Sequence, residues 1–223
     1  MTTNLKKLSQ IFLSAGAIQY VIISSIAMLF YPGGSNADPI GGPYTVGYDF
    51  FGNYFSDLGR TIAINGMPNP IASILYYIAN LIYALCLIPF FLTISSEFPM
   101  KKRGKSAGIA ASIFGIIAGL GTFTYAVTPS NLYPVFHNIG VGFGYSGTFL
   151  AILMLGIAMH RYKENLKQEG LILIILAIVF FITLTLGPIL NTVFTTMLMQ
   201  KTSKYLTMII FTAEGILWFK RSK

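Results

Sequence analysis

Charge is what this sequence has least of: charged side chains make up 10% of it, where an ordinary soluble domain has roughly a quarter. It has two histidines, His137 and His160, one cysteine, Cys86, and one tryptophan. Each scarcity excludes something. A lone cysteine forms no internal disulfide, and two histidines near opposite membrane faces supply neither a multi-histidine zinc site nor bis-histidine haem ligation. No phosphate-binding or dinucleotide-binding glycine motif occurs in any segment predicted to be cytoplasmic, so neither a metal nor a cofactor is expected. No lysine is expected in the middle of a span, which excludes a retinal Schiff base.

What is abundant is apolar surface, at 54% of the residues. A span needs about twenty mostly apolar residues to cross a hydrocarbon core of roughly 30 Å. Five runs meet that length: 11–31, 71–94, 108–127, 134–160 and 171–190. A sixth, 205–219, is short and contains Glu214. The first two carry no Asp, Glu, Lys, Arg or His. The expectation is an all-α, polytopic membrane bundle of six helices, one integral domain over 1–223, multi-pass in the cell membrane. Lys204, just ahead of the sixth run, is expected to snorkel to the headgroups.

Orientation follows from the basic residues. Twelve of the 15, including Lys6, the Lys101 to Lys105 cluster, Arg161 and Lys220 to Lys223, fall on one side, and only Arg60, Lys201 and Lys204 fall on the other. That bias places both termini in the cytoplasm. It also explains the net charge of +8 through anionic lipid heads, with no need for a nucleic-acid partner.

The first outward link, 32–70, is long, 39 residues with eight glycines, and is expected to be ordered over the mouth of the bundle. Its YDFFGNYF run suits an interfacial aromatic anchor. Directly after it, NYFSDLGRT gathers Asn53, Ser56, Asp57 and Arg60. Asp57 and Arg60 stand three apart, so on a helical turn they pair locally. Alternatively, Arg60 grips a phosphate or carboxylate while Asp57 orients it or acts as a base. A second polar run, TPSNLYPVFHNIG, brings His137 and Asn138 to the same side. An ionisable group inside a span's outer turn is a site by default. Asp57 and His137 are therefore the catalytic candidates. Asn53, Ser56, Asp57, Arg60, His137 and Asn138 are the candidate ligand contacts. Glu214 is the one intramembrane acid, with Gln19 or Asn80 as its expected partner.

The combination of FSDLG in the first loop, N-P before the second span and H-N-x-G opening the fourth resembles a six-helix membrane group. That group is the domain-of-unknown-function family 998 and, more distantly, the damage-regulated autophagy modulator family. The resemblance implies polar motifs on the outer side at Ser56, Asp57, Gly59, His137 and Asn138, and it favours a polar lipid as ligand. Three functions remain open: a lipid-binding or lipid-modifying protein, a non-catalytic membrane organiser with a protein partner or as a homo-oligomer, and a small proton-coupled transporter using Glu214.

Overall fold

The computed structural model describes residues 3–38, 44–100, 103–190 and 193–222. Lys101, Lys102 and Lys223 of the basic count lie outside them. The described chain is built from six long helices: α1 (Thr3–Leu29), α2 (Pro70–Ile94), α3 (Lys105–Val127), α4 (Pro134–Tyr162), α5 (Glu164–Leu190) and α6 (Val193–Arg221). Pro70 and Pro134 open α2 and α4, where a missing N–H leaves nothing unpaired. Among the described residues the extended pairing is limited to two isolated bridges in the first loop, Gly33 with Val46 and Ile62 with Pro68.

Even the shortest helix, α3 with 23 residues, rises about 35 Å, enough to span hydrocarbon. Five of the helices, α1 to α5, are both long and apolar enough to cross a membrane. Their outward surfaces agree: Ile22, Ile74, Leu85, Ile113, Leu120, Ile175 and many other large apolar side chains stand exposed. The buried side carries Tyr20, Ser24, Tyr76, Asn80, Tyr83 and Thr122. A protein that shows lipid-like groups outside and polar groups inside is built for lipid surroundings.

The helices form a closed ring. Each packs on its neighbour in the chain, and α6 returns to pack on α1. The tightest seam is α3 against α4. A Cβ added at Gly121 would lie 2.3 Å from the backbone N of Gly144, and one at Gly147 would lie 2.7 Å from the N of Ala118. Backbone thus meets backbone, as small-residue faces allow. Gly115 and Gly119 of α3 serve α2 likewise, receiving the Phe91 ring and Ile88, so that spacing is plain packing. Gly142 differs, since a Cβ there meets nothing.

The sixth helix is the main correction to the sequence reading. It begins twelve residues before the predicted 205 and encloses Lys201 and Lys204, both buried rather than snorkelling. Lysine therefore does occur deep within a helix of the bundle.

These contacts predict that Gly121→Ala, forced against backbone, lowers stability by about 1–3 kcal/mol. Gly142→Ala should leave it unchanged or raise it by up to about 1 kcal/mol through helix propensity. Thermal unfolding of both variants in detergent checks this, and equal effects would refute the seam.

Candidate functional site

The first loop has a polar hub. Asn53 is fully buried, and its amide donates to the Gly34 carbonyl at 3.0 Å and to Asp57 Oδ2 at 3.3 Å. Its Oδ1 accepts the Asp49 N–H at 2.9 Å, and its backbone carbonyl accepts from Lys201 Nζ. Asp57 Oδ2 also takes the Tyr54 N–H at 2.7 Å and Asn36 Nδ2 at 2.8 Å. The carboxylate thus reaches back to cap the 3₁₀ turn Phe55–Gly59 that carries it. At 5% exposure and with three donors on one oxygen, Asp57 is a loop-closing acceptor rather than a base waiting for substrate. Burial raises its carboxyl above the ordinary value, while bonds from Tyr54 and Asn53 and the charge of Arg60 pull the other way.

The expected Asp57–Arg60 pair does not form. The 3₁₀ turn ends at Gly59, and Arg60 is extended (φ −70°, ψ 138°), so three-apart neighbours no longer share a face. Arg60 instead donates Nε to the Ile62 carbonyl at 3.1 Å, and among the described residues its guanidinium has no carboxylate partner. Ser56 is half-buried beside it. The neighbouring Thr61 is tied to the α3–α4 turn by Asn131, through Oδ1 to its N–H at 3.0 Å and Nδ2 to its hydroxyl at 2.9 Å.

His137 is buried, with Nδ1 on the Thr128 carbonyl at 2.7 Å and its ring edge-on to Tyr125. Since a carbonyl only accepts, Nδ1 carries the proton, and the buried Nε2 has no bond. Asn138, one residue on, is exposed. Asn53 and Asp57 therefore share one network with Lys201, Arg60 stands at its edge, and His137 belongs to another network that pins α3 to α4. No hydrogen bond joins Asp57 to His137.

The groups that the sequence reading missed are the lysines of α6. Lys201 is 1% exposed, with Tyr48, Phe50 and Phe55 rings 5.2–5.6 Å away. The aromatic run of the loop is thus in part turned inward as a box for a cation. Gln200 adds a second tie, its Oε1 accepting the Phe55 N–H at 3.0 Å. Lys204 is 6% exposed and lies under Tyr20 and Tyr83 at 4.4 and 4.6 Å and Tyr125 and Tyr145 at 5.6 and 6.0 Å. Its Nζ donates to the Tyr125 hydroxyl at 2.9 Å. The two lysines stand three apart on a helix, a spacing that marks one shared face.

Glu214 is buried but does not meet Gln19 or Asn80. It accepts Trp218 Nε1 from the next turn of its own helix at 3.0 Å, while Gln19 donates to the Ala79 carbonyl and Asn80 to that of Tyr76. Among the described residues no group of His, Cys, Asp and Glu has the arrangement of a metal site. Beside the loop, a crevice of about 210 Å³ lies among α4, α5 and α6, lined by Tyr54, Gly142, Tyr145, Thr183, Leu184 and Gln200.

This arrangement is that of a multi-pass helical membrane bundle with a stapled loop and a cationic interior. No family model, curated protein or solved structure matches the chain.

The raised Asp57 carboxyl sets a pH dependence. Its contribution to stability is full below the ordinary aspartate value of about 4 and is lost as pH rises through the higher folded value. Asp57→Asn mimics the protonated form. The unfolding temperature of the native protein relative to that of Asp57→Asn should therefore fall as pH rises from 4 to 8. A parallel pH dependence in the two proteins would show that Asp57 is not desolvated.

Proposed function

We propose that this protein binds a polar lipid at the loop end of the bundle, holding the start of an acyl chain in the α4–α5–α6 crevice. The observation that carries this reading is the crevice itself. It lies where two of the helices able to cross a membrane, α4 and α5, meet α6, and its lining joins apolar groups (Gly142, Leu184) to a polar lip of Tyr54, Thr183 and Gln200. Its volume falls below the 300 Å³ or more of a site that encloses a whole small molecule, and suits one segment of a ligand whose remainder stays in the bilayer. Arg60, on the same loop and without a carboxylate partner, is suited to an anionic headgroup. The motif resemblance to lipid-associated six-helix proteins points the same way.

The reading is binding rather than turnover. Asp57 and the Nδ1 of His137 are engaged internally, so neither is poised as a base. A second reading, a non-catalytic organiser of a membrane complex, is favoured by that same internal use of Asn53 and Asp57. In either case the basic-residue bias turns the loop end outward and leaves both termini cytoplasmic.

Two experiments test these proposals. Native mass spectrometry of the purified protein should find retained lipid that Gly142→Leu displaces without loss of thermal stability, because the new side chain enters open space. Arg60→Ala should weaken retention, and Arg60→Lys should restore it only partly, since lysine lacks the bidentate fork. Lipid held equally by all four proteins would leave the organiser reading ahead. In a Cys86→Ala background, cysteine at Val46, which is exposed, should react with an impermeant thiol reagent in intact cells, and cysteine at Ser96 should not. The reverse pattern would invert the topology.

A further inference from the structure

The centre of the helix ring is built around a charge that no acid answers. Lys204 stands eleven residues past Val193, about 16 Å along α6 from its start. The chain's acids are committed elsewhere. Asp38, Asp49 and Asp57 hold the loop, Glu97, Glu164 and Glu169 pair with basic residues at the opposite end, and Glu214 takes Trp218. Every helix sends a group to this point: Tyr20, Tyr83, Tyr125, Tyr145 and Phe180 from α1 to α5, and Lys204 itself.

What these groups leave between them is small and rich in donors. Tyr83, Tyr125, Tyr145, Thr122 and Lys204 line a void of about 10 Å³, the room of a single water-sized occupant. An ammonium has three protons and no acceptor, and only the Tyr125 hydroxyl takes one here. Because it accepts a hydrogen bond from Lys204, the Tyr125 hydroxyl can direct its own proton into the void. The buried Tyr83 hydroxyl has no hydrogen-bond partner. The two other threonines on the lining, Thr148 and Thr207, give their protons to carbonyls of their own helices. The centre therefore offers an ammonium and several hydroxyl protons and lacks an acceptor of negative charge.

We propose that this cage binds one monatomic inorganic anion of the halide class, coordinated by the Lys204 ammonium and the hydroxyls of Tyr83 and Tyr125. Phosphate, sulfate and carboxylates are too large for the void. The rings of Tyr20 and Tyr83 lie nearest the cation, Tyr125 meets it with its hydroxyl, and Tyr83, Tyr125 and Tyr145 line the void, so overlapping sets of side chains serve both charges. The site stands independently of the lipid crevice, although Tyr145 lines both.

Thermal unfolding of the full chain in detergent, with sodium gluconate replaced stepwise by sodium chloride at constant ionic strength, tests the site. Binding to the folded state alone should raise the unfolding temperature with chloride concentration in proportion to ln(1 + [Cl⁻]/Kd). Tyr83→Phe removes one donor to a charged ligand and leaves the ring in place, so it should raise the concentration for half effect about tenfold. Lys204→Met should abolish the response. Gly142→Leu should keep it, which separates failure of this site from failure of the lipid reading. No chloride dependence in the native protein would mean that the void holds water and would overturn the proposal. So would an unchanged response in Tyr83→Phe, the mark of a general salt effect. The Tyr83→Phe comparison decides the matter if Lys204→Met does not fold.

Discussion

A lysine ammonium removed from water inside a lipid-facing bundle must be solvated by the protein, and the rest of this structure is arranged around that requirement. The effective penalty for burying an ion is several kcal/mol even after relaxation. A desolvated cation over an aromatic face recovers about 2 kcal/mol or more. The Tyr20 and Tyr83 rings and the Tyr125 hydroxyl at Lys204, and three rings around Lys201, thus act on the same scale as the penalty they oppose. Placing those rings needs the other helices to face the inner side of α6, and the closed six-membered ring brings α1 to α5 to that point. The close α3–α4 seam at Gly121 and Gly147 then lets Tyr125 and Tyr145, from two helices, reach one point.

The loop follows from the second lysine. Asn53 gives its carbonyl to Lys201 while its side chain gathers Gly34, Asp49 and Asp57, so α6 fixes the hub of the loop's polar network. Such a hub explains how the described part of a glycine-rich loop holds a defined shape. The polar groups of NYFSDLGRT divide accordingly. Asn53 and Asp57 are interior struts, and Arg60, just past the end of the 3₁₀ turn, is the group left to face outward chemistry.

Much of the fold was legible in composition, because hydrocarbon thickness sets helix length and five apolar runs of that length stand clear in the chain. The start of α6 was not. Hydropathy counts a lysine as if it faced lipid or water, and Lys201 and Lys204 face neither, so the predicted span was cut at 205 and its first twelve residues were lost. The candidate site was legible as a neighbourhood and misread in its bonds. Asp57 and Arg60 have helical spacing in sequence, but Gly59 ends the turn between them. Likewise, the i, i+4 bond from Trp218 to Glu214 lies within one helix, where a search for partners across the bundle passes over it. The lysine pair did leave a signal: two cations three apart, bordered by apolar sequence, have one face to share, and the loop's aromatic run has the rings to meet them.

Phe55 connects these parts. Its ring lies 5.6 Å from Lys201 Nζ and meets Tyr20, a wall of the Lys204 cage, edge-on at 6.1 Å, while its N–H is held by Gln200. The 3₁₀ turn that Asp57 caps begins at Phe55, so the carboxylate fixes the residue that walls the Lys201 box and packs on Tyr20 of the Lys204 cage. Loop and cage are therefore a single packed unit, joined by one ring through contacts of ordinary size. Withdrawing Phe55 would open the Lys201 box and remove the edge contact with Tyr20 together. The polar motif read first in the sequence thus sits at the roof of a cationic interior, and its acid keeps that roof in place.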